Sequence, residues 1–353
     1  MTTLTTLYTN AGIVSFPPGW YSQNGNWIAK TVSVAADRYT LLSPAALQVD
    51  VTNVSLALTA QATLDLSVEA IWDTISGTDY RTASNRAGKD FYVYACQPVS
   101  GTLPVLKVSA NATTPTGYLT TNSRKVAGFH CLCVAAGTIS NHLATGYVAG
   151  DIIPNSVWDL NNRAESENEG MVYVSSISAW VDIYLFTGTG TTTTSVNGAS
   201  YADTVTQYNF VDYAALQKKR LLFDHEFTSA ATGCNEGTNV TGSAEQNTTT
   251  GHTDTAGRRM LSNFFIEDCA GVLWQWLNDS LMSADGSASW ARKDVTGSRG
   301  QVYSQGTYGF YKLIAGSYCP YGAYCGSRSR NLSIWAWYSG SNVGGRALSQ
   351  RRA

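Results

Sequence analysis

The chain has 353 residues, more than one hydrophobic core usually organises, so length alone predicts two or three domains. Only 14% of residues are charged and the formal net charge is −2, which excludes capture of nucleic acid or of an anionic membrane through bulk electrostatics. Thr, Ser, Asn and 32 Gly accompany 20 Tyr and 10 Trp, a mixture that fits half-buried pleated surfaces joined by left-handed turns and predicts a mainly β chain.

Residues 1–45 hold turn and aromatic residues, Phe16-Pro17-Pro18-Gly19-Trp20 and then Asn24-Gly25-Asn26-Trp27, with too little apolar area for a core of their own. They read as an attachment or oligomerisation segment packed on a neighbour. The first ten residues lack a basic region and an apolar run, and nowhere do 18 consecutive apolar residues occur, so neither a secretion signal nor membrane insertion is expected. Sequons such as those at Asn111 and Asn239 therefore carry little weight.

Residues 46–160 alternate with period two: Leu47, Val49, Val51, then Val54, Leu56, Leu58, then Leu64, Leu66, Val68. The runs Phe91–Cys96 and Lys125–Val134 follow, bounded by Gly, Pro and Asn, and together they predict a β-sandwich. The acidic stretch Asp159–Gly170 places a domain boundary between about 156 and 170. Beyond it, residues 170–353 predict an α+β domain. Met171–Val174 and Trp180–Phe186 are strand-like, and 187–200 is a low-complexity loop. Helical spacing runs from Asn209 to about Ala231, with Leu222–Phe227 opening a second helix that ends before Gly233. A long surface excursion is expected over Thr232–Gly257. From Val295 onward there is no Asp or Glu, while Arg299, Lys312, Arg328, Arg330, Arg346, Arg351 and Arg352 concentrate positive charge.

The cysteines, seven in number, are scattered rather than framed for disulfides, so free thiols are expected. Cys131 and Cys133 lie two apart on one strand face, without a second pair at zinc-site spacing, and no metal or cofactor is expected. His130 reads as a buried structural histidine, and Trp274 with Trp276 as one apolar strand face. His225 and Glu226 could do acid–base work, but no partner nucleophile is identifiable.

Near the end of the chain, Tyr318, Tyr321, Tyr324, Trp335, Trp337 and Tyr338 stand among Ser, Gly and Ala. Tyr and Trp supply large, stiff contact area with a polar handle, and small residues adapt to a partner, which is the composition of a paratope. For Trp335 and Trp337, two apart and so sharing a strand face, core and surface both remain open. Arg328 and Arg330 read as hydrogen-bond donors that pin loops.

Four segments of this half occur in a known order. Ala215–Ala231 resembles the helix pair of the formylglycine-generating-enzyme branch of the C-type lectin fold, and Gly271-Val-Leu-Trp-Gln-Trp276 its strand with paired tryptophans. Gly297-Ser-Arg-Gly300 follows, and then Ala315–Asn331, closing on Ser341–Arg346. That last block resembles the variable region of proteins diversified by retroelements. Upstream, Thr114–Tyr118, Ser123–His130, Ser156–Asp159 and Trp180–Leu185 are similar to phage tropism-determining proteins of that family.

The resemblance implies a β-sandwich followed by a C-type-lectin-like domain. It also implies a phage tail protein, carried at a virion tail tip or fibre and made in the host cytoplasm, that attaches the phage to its host. Its partners would be a host-cell surface protein or other surface receptor and a tail-fibre or baseplate protein, in a homotrimer. Positions where related templates carry Asn fall on Tyr318, Tyr321, Tyr324, Ser333, Ile334, Tyr338 and Gly340, each reachable from an Asn codon by adenine mutation. These are the expected ligand contacts, with Cys319, Trp335 and Trp337 as candidates for additional ones. The rivals are a non-diversified structural appendage and a formylglycine-generating oxidase. The oxidase needs two thiolates for copper, and while Cys325 matches one, the other falls on Arg330, so no enzyme is expected. The Glu-Pro-Asn, Gln-Pro-Asp and Trp-Asn-Asp motifs of calcium-dependent sugar sites are absent as well.

Overall fold

Leu47, Val49 and Val51 alternate with more exposed neighbours along β4 (Ala46–Val51), and all three are buried, as their period of two requires. A computed structural model of the chain describes residues 21–30, 33–52, 54–73, 77–282, 290–294, 300–304 and 310–352. The expected aromatic turn at Phe16–Trp20 and the Gly297–Arg299 part of the third family segment lie outside the described residues. Strand β4 sits between β1 (Tyr21–Asn24) and β5 (Val54–Leu58) in an antiparallel sheet. A second small sheet joins β2 (Ile28–Ala29), β3 (Thr40–Leu42) and β6 (Thr63–Asp65).

After the single-turn helix α1 (Ala83–Arg86) comes a four-stranded sheet. It orders β10 (Trp158–Asp159), β9 (Ser123–His130), β7 (Asp90–Cys96) and β8 (Val105–Ser109). Its inner side chains Phe91, Val93, Val126 and Phe129 share one core with Leu47, Val49, Leu56 and Trp72, so sheets face each other across apolar side chains. Buried Asp159 accepts hydrogen bonds from the amides of Trp27 (2.8 Å), Asn161 and Asn162, tying the early segment to β10. His130 is buried too, held at 2.9 Å by Asp90 and at 3.0 Å by the Tyr184 hydroxyl. The free cysteines, Cys131 and Cys133 among them, are buried as well.

The following part is organised around a returning strand. In one sheet β11 (Met171–Val174) and β12 (Ala179–Asp182) are joined by β20 (Ala347–Gln350), and β20 in turn by β13 (Arg220–Leu221). Residues 347–350 thus pair beside a strand more than 160 residues earlier.

The helical stretch is two helices, α2 (Gln207–Leu216) and α3 (Asp224–Ala230), with boundaries other than the spacing predicts. Lys218 takes a left-handed φ of 56° that ends the first helix, and Arg220-Leu221 are drawn out as strand β13. Leu222 consequently enters the core instead of opening the second helix. Thr206 caps α2 by accepting the Asn209 amide, and Gln207, Phe210 and Ala214 form its buried face. Glu226 caps α3 by accepting the Phe223 amide (2.8 Å) while pairing with Arg220 (2.6 Å).

Residues 231–273 contain only isolated bridges, as a long excursion predicts. A six-stranded sheet then forms from β14 (Trp274–Met282), β15 (Ala291–Asp294), β16 (Gln301–Ser304), β17 (Phe310–Ala315), β18 (Arg330–Ile334) and β19 (Val343–Gly344). Its order is β15-β16-β18-β17-β14-β19. Trp274 and Trp276 pack with Phe186, Phe210, Ile314 and Val343, so the paired tryptophans are core. Among the described residues no helix is long and apolar enough to cross a membrane.

Candidate ligand-binding surface

Two arginines hold the frame of the terminal stretch. Arg346 is buried, and its guanidinium donates to the carbonyls of Asp182 (2.7 Å), Ile183 (2.5 Å) and Glu267 and to Oε1 of Gln275 (3.1 Å). It therefore ties β20 to β12, to the excursion and to β14. Gly345 just before it lies flat on two rings: an added Cβ would come to 2.9 Å from Phe210 and 3.1 Å from Phe186. Arg330, also buried, pairs with Asp224 and donates to Thr228 Oγ1 (2.8 Å) and to the carbonyls of Ser327 and Ser329. Loop 325–329 is fastened further by Glu236, which accepts from the Ser327 amide (3.1 Å) and hydroxyl (2.5 Å). Arg330 is thus the loop pin expected from sequence, whereas Arg328 is exposed.

Between these fixed points the aromatic residues turn outward. Pro320 and a left-handed Gly322 (φ 49°) shape the short helical run Cys319–Tyr324, leaving Tyr321 and Tyr324 exposed and Tyr318 half-buried. Tyr321 lies 6.2 Å from both Tyr318 and Trp274, ring centre to ring centre, which anchors the surface tyrosine on the tryptophan core. β18 ends at Ile334, and the Tyr338 amide then bonds to the Trp335 carbonyl (3.0 Å) in a turn.

That turn settles the open alternative: Trp335 and Trp337 are 50% and 62% exposed and stack on each other at 5.5 Å, with Tyr311 behind Trp335 at 6.4 Å. Tyr338 is exposed beside Gly340, where any Cβ would collide with its hydroxyl. The hydroxyl itself donates to Asn342 (2.9 Å). Ser333 and Ile334 on β18 are half-buried, the first bonded to Asn331 and the second packed on the tryptophan core. Cys319 does not join the surface: it is 1% exposed, against Val240, Val272 and Leu273, because its amide bonds to the Val272 carbonyl and turns its side chain inward. The expectation of a contact from Cys319 is corrected accordingly.

Glu245 and Arg292 belong to this surface and were not expected from sequence. Glu245, from the long excursion, accepts from the hydroxyls of Tyr318 and Ser341 (3.3 Å) and so joins the two ends of the aromatic stretch. Arg292 on β15 places its guanidinium carbon 3.8 Å from the ring centre of Tyr324 and 4.9 Å from that of Tyr321. Nothing local to either residue signals this, since each reaches the surface from a separate segment of the chain.

Burial pushes the thiols of Cys319 and Cys325 up to about 11, so neither is a thiolate near neutral pH. His225 stacks on Phe223 at 6.2 Å, and its neighbour Glu226 is occupied as a helix cap. Beneath the surface, burial disfavours charge on His252, but the Asp268 carboxylate at 2.9 Å outweighs it and raises the imidazole above its usual pKa. Asp268 also accepts from Tyr201, and the adjacent Glu267 pairs with Arg259 at 2.7 Å.

A hydrogen-bonded frame thus carries outward aromatic side chains on a β-rich, C-type-lectin-like fold. Several known proteins resemble this chain. Residues 46–159 match the family model described as the Mtd second domain. Over 335 residues the chain is 28% identical to the tail fiber receptor-binding protein of Bordetella phage BPP-1, covering 86% of this chain and 82% of that one. It superposes on the Major Tropism Determinant U1 variant with a TM-score of 0.65 at 24% identity, over 93% of this chain and 86% of that one. The I1 variant gives 0.63 at 25% over the same shares. Over most of its length the chain is thus similar in sequence and fold to phage tropism determinants.

Proposed function

We propose that this chain is a receptor-binding, tropism-determining protein of a phage tail, and that Tyr321, Tyr324, Trp335, Trp337 and Tyr338 contact the receptor. The observation that carries the reading is the exposure of these five aromatics on a frame pinned by Arg330 and Arg346. Large side chains kept outward cost solvation, and a partner that covers them recovers it. Similarity to a tail fiber receptor-binding protein supports attachment to a host surface and a place in the virion.

Of the five, Tyr321, Tyr324 and Tyr338 are diversified positions in this proposal, and Tyr318, Ser333, Ile334 and Gly340 complete that set of seven. They edge the aromatic patch and tune it, and the frame residues stay fixed because each fills several hydrogen bonds. A homotrimer would add avidity to single sites of modest affinity. Catalysis of the formylglycine type is disfavoured by Arg330, whose N–H groups are occupied by Asp224, Thr228 and two carbonyls where that chemistry needs a second thiolate.

The test is binding of the purified full-length protein to a panel of bacterial strains, read by flow cytometry, together with sequencing of the surrounding genome. Strain-selective binding, and a near-repeat of the 3′ end carrying Asn codons beside a reverse-transcriptase gene, are the expected results. Uniform binding to every strain would refute the tropism reading, and identical residues at all seven positions in sibling copies would refute diversification.

A further inference from the structure

Arg292 differs from three other arginines that stack on rings. Arg220 over Phe223 (4.9 Å) pairs with Glu226, and Arg330 over Phe227 (5.0 Å) pairs with Asp224. Arg38 over Tyr147 (4.3 Å) donates to the Thr145 and Gly146 carbonyls. The guanidinium of Arg292 is surrounded by Tyr324 (3.8 Å), Tyr321 (4.9 Å) and Tyr303 (5.3 Å), and among the described residues it has no carboxylate or carbonyl partner. Tyr303 is in turn backed by Trp290, stacked at 5.2 Å.

A guanidinium stacked on rings keeps its N–H donors in its own plane, and their fork matches the two oxygens of a carboxylate. The rings hold the side chain in one geometry and lower the entropy lost when such a partner arrives. Arg292 is half-buried rather than sealed, and it lies on β15, outside the stretch Tyr318–Gly340.

We infer that Arg292 is a fixed carboxylate anchor within the display surface, and that it takes an Asp or Glu side chain of a receptor protein. The inference rests on the receptor-binding reading above and names the chemistry of one contact in it. A protein is the favoured source of the carboxylate because the surrounding patch of Tyr, Trp and Ser has paratope composition. Tyr321 and Tyr324, both proposed as diversified positions, line the anchor, so exchange at either would retune its access while the charge stays in place.

The experiment selects a displayed library of random twelve-residue peptides on immobilised full-length protein, in parallel on wild type and on Arg292→Gln. Sodium hyaluronate serves as the probe for acidic polysaccharide. Thermal unfolding of both proteins checks that the substitution spares the fold. Peptides selected on the wild type should be enriched in Asp or Glu, lose at least tenfold in affinity on Arg292→Gln and several-fold on Arg292→Lys, which keeps charge but not the planar fork. The enrichment should vanish from the library selected on Arg292→Gln.

Selected peptides without acidic enrichment, or with affinity indifferent to residue 292, would overturn the anchor. Loss of their affinity on Trp337→Ala would still uphold the surface as a binding site. Recovery of no peptide, or retention of hyaluronate alone, would overturn the protein carboxylate as partner, and strain-selective cell binding would show separately whether the receptor-binding reading stands.

Discussion

Within some thirty residues the chain holds two kinds of side chain with opposite demands. Arg330 and Arg346 point inward, each meeting several acceptors, and their loops cannot move without leaving buried polar groups unpaired. Trp335, Trp337 and Tyr338 point outward and owe the fold little beyond stacking and one hydrogen bond. On the proposed reading, stability and recognition fall on different residues of the same segment, and the second set should be exchangeable without unfolding the first.

The largest effect expected is on the frame. Arg346→Ala removes a buried donor from the carbonyls of Asp182, Ile183 and Glu267 and from Gln275, while the Ile183 carbonyl keeps the Glu267 amide as a second partner, and should cost on the order of 4 kcal/mol in urea unfolding. A loss below about 1 kcal/mol would mean that the frame is held elsewhere. Gly345→Ala drives a methyl group into Phe210 and Phe186 and should cost about 1–3 kcal/mol in the same assay.

The buried acid–base layer predicts a smaller, pH-dependent effect. The folded pKa of His252 is raised, so its pairing with Asp268 stabilises fully below the ordinary value near 6.5 and is lost as pH rises through the folded value. The unfolding midpoint should therefore fall between mildly acidic and mildly alkaline pH, and His252→Gln should flatten that slope. An unchanged slope would contradict the assignment. Smallest of all should be the exposed ring: Trp337→Ala should shift stability by no more than about 0.5 kcal/mol.

Much of this contrast was legible in the sequence. The period-two runs of β4 and β5 and the Trp274–Trp276 pair announced their buried faces, and the Tyr-Gly-Ser composition announced a surface. Period two alone says that Trp335 and Trp337 share a face, not which face. Only the end of β18 and the turn at Tyr338 expose them. The helix boundary near Lys218 was hidden for a similar reason, because pairing of Arg220 and Leu221 with β20 is a long-range contact that local spacing does not encode. Arg292 and Glu245 were invisible because their roles depend on which strand or excursion the fold brings alongside.

The division between frame and surface is tested most directly by one combined variant of the full-length protein, Tyr321→Ser, Trp337→Ala and Tyr338→Ser. It is to be measured for binding to a strain the wild type recognises and for its urea unfolding curve. The account predicts that binding is lost at least a hundredfold while the unfolding midpoint stays close to that of the wild type. Retained binding, or a collapse of stability in the same variant, would contradict it.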